Sequence, residues 1–82
     1  MNKVYSTLDV YLASIIYLHT GILPDLINNN GRVSFNFPLN EKVFEAIKEY
    51  DAGMVLVANR FVHTIKYFKG QIFDCMNESV GN

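Results

Sequence analysis

The segment Asn28-Asn29-Asn30-Gly31 followed by Arg32–Phe37 constrains this chain more than any other. Asn and Gly both accept the positive φ angles of a tight hairpin turn. Directly after them, Val33, Phe35 and Phe37 alternate with Arg32, Ser34 and Asn36. A repeat of two with one apolar side is a half-buried β-strand, and Pro38 ends it. Ile22–Asn28 reads as the preceding strand, with Pro24 marking it as an edge or its first residues as irregular. A β-hairpin is therefore predicted, with an apolar face that needs cover. A lone hairpin is marginal in water and leaves open edges.

The cover comes from helices. Ser6-Thr7-Leu8-Asp9 reads as a helix start, with a hydroxyl able to cap and an acid in the first turn. That helix runs to about His19, and Thr20-Gly21 stops it. Its apolar residues (Leu8, Val10–Ala13 and Ile15–Leu18) surround the axis almost completely, so every side must be buried. Asn40 caps a second helix reaching about Asp51, with Val43, Phe44, Ile47 and Tyr50 on its apolar stripe and Gly53 near its stop. Met54–Val57 is a short apolar run that fits a strand or a buried connector. Asn59 is placed to cap a third helix from Arg60 to about Met76, where Phe61, Ile65, Phe68, Ile72 and Met76 recur at helical spacing. The expected class is α+β, in the order α-β-β-α-(β)-α, with one antiparallel hairpin packed by about three helices. At 82 residues the chain has room for one core, assigned to residues 1–78, with 79–82 as a polar tail.

Composition narrows the function classes. Half the residues are hydrophobic, which excludes a disordered chain, and only 18% are charged, so polar surface is scarce. A net charge of −1 argues against a strong generic nucleic-acid binder. The run Val10–Leu18 is about half the length of the roughly 20 residues that span a bilayer, so no membrane association is expected. A polar start without a small-residue cleavage site speaks against a signal peptide. The single cysteine, Cys75, excludes an intrachain disulfide and fits a reducing compartment, so a cytoplasmic location is expected.

Catalytic chemistry finds no foothold. His19 ends one helix and His63 lies on the outer side of another, and their spacing does not bring them together. Cys75 sits towards a helix C-terminus, where the dipole disfavours a thiolate, and reads as a packing residue. The glycines are scattered and form no phosphate-cradling loop. No enzyme, cofactor or metal is expected.

Surface composition points to partners. Arg60, His63, Lys66 and Tyr67 share the outer sector of the third helix, a modestly basic face suited to an acidic partner or a phosphate backbone, with Arg32 on the sheet as an addition. Tyr11, Ile15 and Leu18 on the first helix and Val62 and Phe73 on the third are the candidate self-association surface. The leading expectation is a binding module that forms a homodimer, with a host or viral protein as partner. A small nucleic-acid-binding protein is the alternative.

Thr7, Asp9, Tyr11, Leu12, Ala13 and Gly21, then Phe35 and Phe37, then Tyr50, Gly53 and Val57, and finally Phe61, Ile65, Lys66, Lys69, Ile72 and Phe73 form a pattern spanning nearly the whole chain. It resembles a family of small phage and mobile-element proteins, a domain of unknown function. The family shows a T-x-D-x-Y-L-A helix, an F-x-F strand, a Y-x-x-G helix end and an aromatic, lysine-bearing last helix. The resemblance implies a compact fold and a viral or prophage origin, hence host-cell cytoplasm, and no activity. Ala58-Asn59 departs from the aspartate or proline the pattern usually carries after the valine, and still permits a helix cap.

Overall fold

The computed structural model describes residues 3–53 and 58–80. Along the chain lie β1 (Val4–Thr7), α1 (Val10–Thr20), β2 (Asp25–Asn29), β3 (Arg32–Pro38), α2 (Glu41–Asp51) and α3 (Ala58–Val80). The class is α+β, and the hairpin is present. Asn29 pairs with Arg32 across Asn30 and Gly31, whose φ angles are 54° and 87°. Two consecutive positive φ values match the right-handed twist of the flanking strands, which is why Asn-Gly serves there. The Asn28 side chain accepts the Gly31 N–H at 2.8 Å and closes the turn. Regular pairing of β2 begins at Asp25, so Ile22–Pro24 is a connector and not strand.

The hairpin does not stand alone. Ser6 and Thr7, expected to open a helix, belong instead to β1, which pairs antiparallel with β3 from Val4↔Pro38 to Thr7↔Phe35. The sheet is three-stranded in the order β1-β3-β2, with β3 at its centre. Val4-Tyr5-Ser6-Thr7 alternates outward and inward, a four-residue signal that the polar cap-like letters disguise. The N-cap of α1 is Asp9, whose carboxylate accepts the N–H groups of Tyr11 at 2.8 Å and Leu12 at 3.3 Å. Thr7 contributes at one remove, its hydroxyl accepting the Asp9 N–H at 3.0 Å. At the other end Gly21 adopts the left-handed conformation, and its N–H reaches the Tyr17 carbonyl at 2.7 Å.

All three helices lie on the inward face of the sheet, where Val33, Phe35 and Phe37 point. α1 packs against both α2 and α3 and lies between them. Five consecutive residues, Leu12–Ile16, are buried, which no single-sided contact could achieve. The all-round apolar character of α1 is thus satisfied inside one chain, without a second copy. Ser14 is tolerated there because its hydroxyl donates to the Val10 carbonyl at 2.7 Å. On α2, capped by Asn40 as expected, the buried stripe is Val43 and Ala46 with Ile47 at its edge. Phe44 and Tyr50 are exposed, against expectation. Phe44 follows Val43 by about 100° around the axis and so leaves the stripe, and Lys48 Nζ lies 5.7 Å from its ring centroid.

α3 starts earlier than Arg60 and runs past Met76, so Asn59 is inside the helix and not a cap, and residues 79–80 of the supposed tail continue it. Thr64 and Phe68 are buried, with Phe61, Ile65, Gln71, Ile72 and Cys75 half-buried. Met76 is exposed, and Cys75 takes the inward place, its Sγ 3.9 Å from the Leu26 carbonyl oxygen. The suggested strand at Met54–Val57 lies outside the described residues.

The layers meet at Phe35, fully buried on the central strand, with Phe68 packed edge-on at a centroid distance of 5.4 Å and Tyr17 edge-on to Phe68 at 5.8 Å. Replacing Phe35 with Ala leaves a cavity at this junction and is expected to destabilise the protein by about 3–5 kcal/mol in denaturant unfolding. Asp9→Ala removes the α1 cap and is expected to lower stability by about 1 kcal/mol.

Candidate interaction surface

Burial turns α3 into a two-sided helix. One side carries Phe61, Thr64, Phe68, Ile72 and Cys75 into the molecule, and the other faces water with Val62, His63, Lys66, Gly70, Phe73 and Asp74. Arg60, His63, Lys66 and Tyr67 are all exposed there, and none forms an ion pair with another described residue. The Tyr67 ring stays close to the helix, 5.5 Å from the Phe68 centroid. The structure therefore brings four members of the basic set onto one helix, as the helical spacing required.

Arg32 does not join them. In the β2–β3 register, Val33, Phe35 and Phe37 face the helices, so Arg32, one residue away from Val33, lies on the opposite face. That outer face is mixed, carrying exposed Val4 and Ile27 beside polar residues. The Ser6 hydroxyl bonds the Asn36 side chain, whose amide also donates to the Asp25 carbonyl at 3.2 Å and to the Ser34 hydroxyl at 3.0 Å. The sheet separates Arg32 from α3, so a site combining the two is excluded.

The candidate self-association residues also divide. Ile15 is only 4% exposed, held between the helices, and is unavailable to a partner. Leu18 is half-buried. Tyr11 is half-exposed and its ring lies 6.2 Å from that of Phe61, tying the start of α1 to the start of α3. Val62 and Phe73 remain exposed, and Phe73, at 65%, is the most open large apolar residue among those described. The surviving surface is thus concentrated on α3. Phe44 was missed as a surface residue because periodicity alone placed it in the core.

The two histidines are on separate helices. His19 Nδ1 lies 3.0 Å from Glu49 Oε2, linking α1 to α2, while His63 faces outward on α3. Among the described residues no group of three or more His, Cys, Asp or Glu side chains is placed to hold a metal ion. No described helix is long and apolar enough to cross a membrane. Comparison with protein-family models, curated proteins and solved structures finds no match.

Because Arg60 and Lys66 make no ion pair with a described residue, Arg60→Glu and Lys66→Glu are expected to change unfolding free energy by less than about 0.5 kcal/mol. A binding defect in either variant then reports on the surface and not on folding.

Proposed function

We propose that this protein is a non-enzymatic interaction module that acts through protein–protein contacts as a homodimer. The observation that carries the proposal is the outer side of α3, where Phe73 and Val62 lie exposed on the longest helix of the fold. Large apolar side chains gathered on an outward helix face favour contact with another protein surface. The resemblance of its motif residues to those of small phage and mobile-element proteins supports an origin in such an element, with action in the host cytoplasm and a host or viral protein as a further partner.

A second reading, a small nucleic-acid-binding protein, is favoured by one observation: Arg60, His63, Lys66 and Tyr67 are exposed together on α3. Asp74 on the same helix and the net charge of −1 weigh against it. The two readings separate in two measurements. Sedimentation is expected to give a dimer at tens of micromolar. Anisotropy titrations with single- and double-stranded DNA and RNA are expected to show no tight binding. Affinity that falls steeply with salt and disappears in the Arg60→Glu/Lys66→Glu variant would reverse the order.

A further inference from the structure

Gly70 is a glycine that the folded chain does not itself require. It lies inside α3, where glycine costs about 1 kcal/mol relative to alanine. It has no positive φ, and a Cβ built on it meets nothing within 4 Å. Neither backbone conformation nor packing among the described residues explains it. It faces water on the side of α3 opposite buried Phe68.

The residues around Gly70 form a self-complementary set. Lys66 lies four residues before it and Asp74 four after, both exposed and neither paired with a described residue. Tyr67 and Phe73, three before and three after, are half or more exposed. Residues at these spacings share one helix face, and the i±4 row forms a ridge along it. A two-fold axis through Gly70 that runs a second α3 antiparallel sets Lys66 of each copy level with Asp74 of the other, about 6 Å from the crossing point. The same axis places Phe73 of one copy beside the Lys66 stem of the other. A parallel pairing would instead oppose Lys66 to Lys66 and Asp74 to Asp74. The absent Cβ allows close approach of the two backbones at the crossing.

We infer that a second copy of this chain docks antiparallel on the outer face of α3, crossing at Gly70 and held by two reciprocal Lys66–Asp74 pairs. This is an isologous contact of the kind that closes a two-fold dimer, and it rests on the homodimer reading above.

Charge reversal tests it. The variants Lys66→Glu, Asp74→Lys and the double variant are compared with the wild type by sedimentation from micromolar to millimolar concentration, with circular dichroism confirming the fold. Each single reversal is expected to weaken dimerisation about tenfold or more by opposing like charges twice. The double variant is expected to recover it, and mixing the two single variants is expected to produce a heterodimer. Gly70→Leu is expected to abolish association by separating the helices.

A wild-type dimer that neither single reversal weakens would overturn this surface while leaving the homodimer reading in place. A wild type that is monomeric at tens of micromolar would overturn both. Losses in both single variants with no recovery in the double variant or the mixture would overturn the antiparallel register. An acidic partner in place of a second copy would show as weaker binding of that partner by Lys66→Glu and stronger binding by Asp74→Lys, with no dimer.

Discussion

The fold depends on the burial of Phe35 on the central strand. It is fully enclosed, meets Phe68 edge-on, and through Phe68 reaches Tyr17. These three rings join the sheet, α3 and α1 in one contact chain, so the position of each helix is referred to the middle strand. Edge-to-face packing adds direction to a hydrophobic contact that would otherwise be non-directional. Leu12, Ala13, Ile16, Phe37, Val43 and Ala46 complete the same cluster, which is why α2 is held on the opposite flank of α1.

Placing α1 between two helices and above a sheet resolves the conflict that its composition creates. An apolar helix with no wet side is expensive to expose, and a small chain has little surface with which to cover it. Here α2 and α3 cover its flanks and the sheet covers its base, leaving Tyr11 and His19 as open positions. Of α1 and α3, α3 therefore carries the more exposed apolar side chains. That helix is amphipathic towards its own core, yet it carries Val62 and Phe73 on the side that faces away. On the outer face of the sheet Asn36 is bonded across all three strands, with Val4 and Ile27 exposed beside that polar network.

Much of this was legible in the residues. The hairpin, its turn, Gly21 at the end of α1 and Asn40 at the start of α2 are local decisions, made by φ preferences and by side chains bonding to nearby amides. The outer face of α3 was legible for the same reason, since helical spacing alone gathers Arg60, His63, Lys66 and Tyr67. Three features were not legible. β1 was hidden because four residues carry little periodicity and Ser6-Thr7 resembles a cap. Phe44 and Tyr50 were assigned to the core because a helix stripe read from sequence cannot tell which edge the neighbouring helix covers. Ile15 was assigned to the surface because nothing local shows that α1 lies between two partners.

By itself the sequence determined the α+β class, the turn, most of the caps and the sidedness of α3, because each is set by bonds or torsions spanning only a few residues. Only the tertiary structure decided that β1 completes the sheet, that Ile15 is enclosed, and that Arg32 lies across the sheet from α3. Those outcomes depend on which distant surfaces meet. That choice is made by the joint burial of Phe35, Phe68 and α1, which the pattern of any one segment does not contain.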